Sequence, residues 1–162
     1  RDADVVYVCT AYRRRQATPL EHAVALKPWG GFPWAWPHDG HHDMKDGGKS
    51  FRDQYTEAGL LMLGNHATHV DGGYGVESGL SLMLNRMQTG RLKVFSHLQD
   101  WWSEFRIYHR KDGKIVKERD DLMDATRTGL MMLRHAEAPE IYEGDMWQSG
   151  REERGRSEAT GY

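Results

Sequence analysis

The chain has 162 residues, of which 22 are Lys or Arg and 24 are Asp or Glu, so its formal net charge is −2. This length suffices to bury the core of one domain, and the near-neutral charge excludes a general attraction to nucleic acid, so anion binding must come from local patches. The single Cys9 excludes an internal disulfide, and no apolar run has the length of a membrane span or the pattern of a signal peptide.

The first half of the chain is predicted to alternate strands with helices. Thr18, Pro19 and Glu21 have the pattern of an N-cap, a first helical residue and a capping-box partner. In chain order we predict a strand over residues 5–12, a helix from 18 to about 27, a short buried strand over 34–36 bounded by Pro33 and Pro37, a helix from 50 through 55, and a buried parallel strand over 60–63. A basic cluster, Arg13-Arg14-Arg15, follows the first strand.

The second half contains the clearest helical periodicity. Its apolar residues recur at spacings of three and four on one face: Val76, Leu80, Met83, Leu84 and Met87. After a stop at Gly90 we predict a strand over 91–95, a helix over 98–108 whose aromatic stripe is core, a hairpin over 106–117 with its turn at Asp112-Gly113, and a final helix over about 122–135. This alternation predicts an α/β layer architecture, whereas residues 137–162 lack an apolar period and are predicted to form a flexible tail.

Asp39 directly follows the short strand that is rich in Pro and Trp, within a His38-Asp39-Gly40 turn. In open α/β sheets, ligands bind beyond the carboxyl ends of the strands. A catalytic or metal-binding acid is therefore expected at Asp39.

A second acidic group, formed by Asp120, Asp121 and Asp124, opens the final helix. One interpretation is capping, in which these acids satisfy free backbone donors and oppose the helix dipole. The other is chemistry, because three acids within five residues exceed what capping requires, and Asp121 and Asp124 share a helix face. The spacing alone leaves both interpretations open.

Together, Asp39 and the second acidic group predict a site for two divalent cations, Mg²⁺ or Mn²⁺. Hard cations prefer carboxylate oxygen, and closely packed carboxylates would repel one another without a cation. Two such ions, roughly 3.5–4 Å apart, activate the attacking water and stabilise the leaving oxygen of a phosphodiester.

The histidines around Asp39 support a competing interpretation. A loop that contains His38, His41, His42 and Asp43 could hold zinc or a transition metal. No second His or Cys pair has a recognisable ligand spacing, however. The simpler alternatives are solvated loop histidines, or His38 as an outer-shell partner of Asp39.

Basic residues bear on the substrate, since residues 91–119 contain eight Lys or Arg against four acids. Such a run is either a solvated face or, beside an acidic metal site, a surface that holds a phosphate backbone without regard to sequence. The predicted DNA-binding residues are Arg110, Lys111, Lys114 and Lys117.

Six stretches of the chain are similar to one protein family. They are Tyr12-Arg13, Pro19-Leu20-Glu21-His22-Ala23, Trp34-Ala35-Trp36-Pro37-His38-Asp39-Gly40, Thr89-Gly90-Arg91-Leu92-Lys93-Val94-Phe95, Trp101-Trp102-Ser103-Glu104-Phe105-Arg106 and Asp120-Asp121-Leu122-Met123-Asp124-Ala125-Thr126-Arg127. In this order, over about residues 5–135, they resemble the C-terminal nuclease domain of the large terminase subunit of tailed bacteriophages, most closely that of short-tailed phages that package by the headful.

The resemblance implies a ribonuclease H-like fold over residues 1–136, in which helices flank a mixed central sheet. It implies a metal-dependent endonuclease that cuts concatemeric double-stranded viral DNA, with Asp39, Asp121 and Asp124 as catalytic metal ligands and Asp120 as a further candidate. The implied partners are the ATPase motor domain of the same full-length protein, the portal protein and the small terminase subunit. The implied location is the procapsid portal in the host cytoplasm, without a membrane.

The chain also departs from the family. The family's first acid lies on the first strand of the fold, whereas this chain begins at Arg1 with what resembles the next strand. That acid is expected to be absent unless Asp2 or Asp4 replaces it, and no Walker-type phosphate loop occurs. We therefore expect a truncated nuclease that cuts poorly; the alternative is a non-cleaving module that docks on DNA, the motor or the portal, with its acids as helix caps.

Overall fold

A computed structural model describes residues 4–41 and 48–136. Within these ranges the strands are β1 (Val6–Val8), β2 (Leu92–Val94), β3 (Arg110–Lys111) and β4 (Lys114–Ile115), and the helices are α1 (Pro19–Leu26), α2 (Phe51–Glu57), α3 (Val76–Gln88), α4 (Gln99–Ile107) and α5 (Asp121–Met131). Short 3₁₀ turns are found at Lys27–Trp29, His38–His41 and Leu133–His135. The predicted tail lies outside the described residues.

The described strands form small sheets rather than one wide central sheet. β1 pairs with β2 in parallel, while β3 and β4 form an antiparallel hairpin. The predicted strands over 34–36 and 60–63 meet at a parallel bridge between Trp34 and Met62. The parallel direction predicted for residues 60–63 is confirmed, but pairing is shorter than predicted and is limited to this bridge, where the Trp34 N–H donates to the Leu61 carbonyl and the Leu63 N–H to the Trp34 carbonyl.

Side-chain caps explain where the first two helices begin. The predicted capping box is confirmed: Thr18 Oγ1 accepts from the Glu21 N–H at 3.3 Å, and Glu21 Oε2 accepts from the Thr18 N–H at 2.8 Å. Ser50 Oγ accepts from the Asp53 N–H at 3.2 Å and so begins α2. Gly90 follows α3 at φ +70°, the left-handed conformation that ends a helix most easily with glycine.

The core lies where α3, α4 and α5 meet the parallel pair of β1 and β2. Its buried members are Met83, Leu92, Leu98, Trp101, Leu122, Met123 and Leu130. Because Leu122 and Met123 are buried while Asp121 is exposed, the first turn of α5 is fixed in the core on one side and reaches solvent on the other. Each helix in the described ranges is too short or too polar to cross a bilayer.

Two details of the predicted helices are wrong. Leu84 is 56% exposed, because the buried face of α3 is centred on Met83 and Gly79, and Gly79 lies directly against Arg127 of α5. Residues 106 and 107 continue α4 instead of beginning the hairpin. The hairpin is therefore short, and its turn at Asp112-Gly113 has the two positive φ angles, 50° and 74°, that a type I′ turn requires.

Candidate active site

The two predicted acidic groups line one cavity, which we call the acidic cleft. It encloses about 740 Å³ between the 3₁₀ turn at His38–His41 and the first turns of α5. Its carboxylates belong to Asp39, Asp120, Asp121 and Asp124, and its strong cations to Lys117 and Arg127. The fold thus brings carboxylates from two distant segments of the chain to a common surface.

Asp39 is exposed at the edge of this cleft, on a 3₁₀ turn that packs on a buried side chain. The preceding Trp36 is only 3% exposed, and its indole N–H donates to the Leu63 carbonyl at 2.7 Å. Gly40 fits closely over the same ring, since a Cβ at Gly40 would lie 2.8 Å from Trp36. Trp36 therefore fixes the path of the turn and leaves the Asp39 carboxylate in solvent.

Aromatic and imidazole rings pack around the Asp39 turn. His38 stacks on Tyr74 with ring centroids 4.7 Å apart, and His66 approaches His38 edge-on at 4.8 Å. His41 packs against Trp36 at 4.5 Å. These contacts brace the turn, while an outer-shell role of His38 towards Asp39 stays a prediction. His42 and Asp43 lie outside the described residues.

The N-terminus of α5 is capped by a carboxylate from another helix. Glu104 of α4 is 1% exposed, and its Oε2 accepts from the N–H groups of Leu122 at 2.7 Å and Met123 at 3.3 Å. A carboxylate in this position also opposes the positive end of the helix dipole. Asp120 occupies the N-cap position without a side-chain capping bond. The capping interpretation is therefore wrong for Asp120, because Glu104 already binds the free donors.

Arg13 connects buried Glu104 with the rim of the acidic cleft. Its Nη1 donates to Glu104 Oε1 at 2.6 Å, and the same nitrogen lies 4.0 Å from Asp121 Oδ2. The Asp121 side chain remains 58% exposed. Asp121 is thus held near a fixed positive charge, yet its carboxylate is open to a ligand.

Asp124 is engaged differently. Its Oδ1 accepts from Arg127 Nε at 3.2 Å, and the Arg127 side chain is only 9% exposed. Burial, and after it the negative charges of Asp124 and Asp120, raise the pKa of Tyr108 above its ordinary value, so Tyr108 lies in the field of the same acids. Besides any ligand role, Asp124 neutralises a buried guanidinium.

The described residues assemble only part of a metal-ligand set. Within residues 4–41 and 48–136, no three His, Cys, Asp or Glu side chains lie close enough together to hold an ion. Magnesium, however, commonly binds through one or two carboxylates and keeps its remaining waters. The exposed oxygens of Asp39 and Asp121 suit Mg²⁺ or Mn²⁺, whereas the zinc interpretation has no ligand triad among the described residues.

Asp4, one of the two acids considered as a replacement for the first acid expected from the resemblance, is held in ion pairs and does not line the acidic cleft. Its two carboxylate oxygens pair with Arg86 at 2.7 Å and Arg91 at 2.8 Å, and these guanidinium groups hold the pKa of Asp4 below its ordinary value. The ion pairs fasten the start of β1 to the last turn of α3, through Arg86, and to Arg91 just before β2. Asp2 lies outside the described residues.

The predicted DNA-binding cations do not form one group. Both terminal guanidinium nitrogens of Arg110 bind Glu77, so most of its charge is neutralised. Lys111 and Lys114 are exposed on the hairpin, whereas Lys117 borders the acidic cleft. β4 ends at Ile115, the Val116 N–H still donates to the His109 carbonyl at 3.1 Å, and Lys117 follows directly on the path to α5.

Sequence reasoning missed the roles of Glu104 and Arg13. Glu104 follows Trp101 by three residues and precedes Tyr108 by four, so helical spacing places it on the apolar face of α4. A single acid on such a face signals a buried carboxylate with a partner. No local pattern identifies Arg13 as that partner, since it lies 91 residues away in the sequence.

Comparison with known proteins gives a consistent result. The sequence model of a family described as the terminase RNaseH-like domain matches residues 1–133. The large terminase subunits of Salmonella phage P22 and Enterobacteria phage LP7 are both 47% identical, over 138 and 134 residues. These matches cover 84% and 82% of this chain but only 28% of each relative. The solved structure of the P22 large terminase nuclease domain is also 47% identical, with a TM-score of 0.76 over 84% of this chain and 71% of that one.

Proposed function

The chain belongs to the terminase RNaseH-like domain family and has its fold, and we propose that it is a metal-dependent endonuclease domain that cuts double-stranded viral DNA during packaging. The observation that carries the proposal is the acidic cleft, in which exposed carboxylates of Asp39 and Asp121 face one cavity. The nuclease domain named in the solved relative supports the same reaction class.

In this proposal Asp39 and Asp121 hold two divalent cations, Mg²⁺ or Mn²⁺. When bound, the ions supply an activated water and stabilisation of the leaving oxygen. Arg13 holds Asp121 in position through its bond to Glu104, and the rings around His38 do the same for Asp39. Asp124 and Asp120 border the site, and Asp124 ligates an ion or orients Arg127.

The context of the reaction is part of the proposal as well. The chain covers little more than a quarter of the large subunits that it matches. We place it in a longer protein beside an ATPase motor domain, working with the portal protein and the small terminase subunit at the procapsid in the host cytoplasm. The competing function is a docking module that holds DNA without cutting it, a possibility favoured by the incomplete ligand set among the described residues.

Cleavage of supercoiled plasmid separates the two functions. We expect nicked and linear products that require Mn²⁺ or Mg²⁺ and disappear in EDTA. Asp39→Asn and Asp121→Asn should each reduce the rate by at least the roughly 10- to 100-fold loss that even outer partners of a metal cause. The matched control is Asp71→Asn, an exposed aspartate outside this cleft whose amide oxygen can still accept from the Gly73 N–H. DNA retention without cation-dependent cleavage would favour the docking module.

A further inference from the structure

A buried guanidinium, that of Arg127, lines the acidic cleft beside Asp124. The Asp124 side chain, by contrast, is partly exposed. A buried ion pair is weak evidence for stability, because an apolar pair of similar volume is often as stable or more stable. The place of this cation, among the carboxylates of the proposed metal site, therefore points to a role beyond folding.

Gly79 of α3 provides the room that Arg127 occupies. A Cβ at Gly79 would lie 2.7 Å from Arg127 Cγ, 2.9 Å from its Cδ and 3.1 Å from Met131 Sδ. Gly79 is the fourth residue of α3, where alanine would favour the helix more than glycine does. The glycine is thus explained by the close approach of Arg127, and α3 helps to fix where the guanidinium lies.

The guanidinium of Arg127 binds Asp124 through one carboxylate oxygen. Its Nε donates to Asp124 Oδ1 at 3.2 Å, and its Nη1 donates to the Met131 sulfur at 3.7 Å. A thioether is a weak acceptor, so the carboxylate is the strong partner. A bidentate pair would engage both carboxylate oxygens, whereas Oδ2 of Asp124 is not part of this bond.

We infer that Arg127 is a positioning residue for the metal site: it fixes Asp124 through Oδ1, so that Oδ2 binds a divalent cation or one of its waters in the acidic cleft. The inference rests on the proposed nuclease function and gives Asp124 and Arg127 one joint role. Carboxylate ligands of metals are commonly hydrogen-bonded by such outer partners, whose loss costs roughly 10- to 100-fold in metal affinity. Gly79 contributes indirectly, because it lets Arg127 lie where it can bind Asp124.

The test measures the dissociation constant of Mn²⁺ alone by isothermal titration calorimetry, without DNA. Arg127→Lys should weaken Mn²⁺ binding about tenfold, because lysine keeps the charge but has a methylene where Nε binds Asp124. Gly79→Ala should also weaken it, since the added methyl displaces Arg127 while every charge is kept. The matched control is Gly31→Ala, where a Cβ meets open space and the affinity should change less than about twofold. Arg127→Lys carries the test alone if Gly79→Ala does not fold.

A double variant separates positioning from damage to the fold. Asp124→Asn removes the charged ligand and leaves an amide oxygen that can still accept from Arg127. In that background Arg127→Lys should change the Mn²⁺ affinity less than about twofold, because no carboxylate is left to position. An equal loss in both backgrounds would assign the effect to the fold and overturn the inference.

Two further outcomes overturn the inference. An unchanged Mn²⁺ affinity in Arg127→Lys would show that the guanidinium does not hold a ligand. Tighter Mn²⁺ binding by Arg127→Met than by the unmodified chain would show that Arg127 only repels the ions. Failure of the nuclease proposal looks different: the unmodified chain itself would then bind no Mn²⁺, and the inference would fail together with the site on which it rests.

Discussion

The α5 wall and the Asp39 wall of the acidic cleft present the same functional group on different supports. On the α5 wall, carboxylates are connected to the core through Glu104, Arg13 and Arg127, two of which are almost fully buried. On the other wall, Asp39 lies on an exposed 3₁₀ turn that is braced mainly by ring packing against Trp36 and Tyr74. On the α5 wall the charged side chains contribute to the stability of the fold, whereas the charge of Asp39 contributes little to it.

This difference decides what a substitution in the cleft reports. On the α5 wall, loss of Glu104 leaves backbone donors without a partner, and loss of Asp124 leaves the buried cation Arg127 without one, whereas Asp121 is exposed. On the other wall, loss of Asp39 removes only a solvated charge. Loss of activity therefore identifies a ligand cleanly at Asp39, whereas at Asp124 it mixes chemistry with stability.

The largest expected effect is at Glu104. Glu104→Ala should lower the free energy of unfolding by about 3 kcal/mol, because removing one partner of a buried pair leaves Arg13 and the N–H groups of Leu122 and Met123 unsatisfied. Glu104→Gln keeps one acceptor oxygen and should lose about 1–2 kcal/mol. Urea unfolding measures both, with Asp100→Asn on the exposed first turn of α4 as a control that changes by no more than about 0.5 kcal/mol. If Glu104→Ala left the free energy of unfolding unchanged, the proposed contrast between the two walls would be wrong.

A smaller effect separates two aspartates on one helix. Asp124→Ala should cost about 2 kcal/mol, since it leaves the buried Arg127 guanidinium without its charge partner, whereas Asp121→Ala should change stability by less than about 0.5 kcal/mol. Adding Arg127→Met to Asp124→Ala should restore part of the loss, because both members of the pair are then absent. Urea unfolding of these variants provides the measurement. Equal stabilities of the two single variants would contradict the distinction.

Much of the fold could be predicted because its signals are local. The capping box at Thr18, the stop at Gly90 and the turn at Asp112-Gly113 depend on residues that are neighbours in sequence. Strand length could not be predicted, because pairing between distant segments decides it. Composition favours a strand over residues 5–12, but only Val6–Val8 find a partner in β2.

The candidate site shows the same distinction between local signals, which could be predicted, and contacts between distant segments, which could not. The end of a short strand and the beginning of an acidic helix identified Asp39 and Asp121 as candidates, and the fold places both on one cleft. The supporting pair of Arg13 and Glu104 joins segments 91 residues apart, and no spacing rule connects them.

The smallest expected change in stability is at Asp39. It is also the change that best identifies a metal ligand. Asp39→Ala should leave the free energy of unfolding without metal unchanged to within about 0.5 kcal/mol, because the side chain is exposed. With a metal concentration of ten times the Kd, Mn²⁺ should stabilise the unmodified chain by about 1.4 kcal/mol, and Asp39→Ala should lose most of that gain. Thermal unfolding with and without Mn²⁺ measures both quantities, and Asp71→Asn should keep the full stabilisation. An Asp39→Ala protein that is stabilised by Mn²⁺ as strongly as the control would place the ions on the α5 wall alone. The carboxylates there would then have to bind metal in addition to neutralising Arg127.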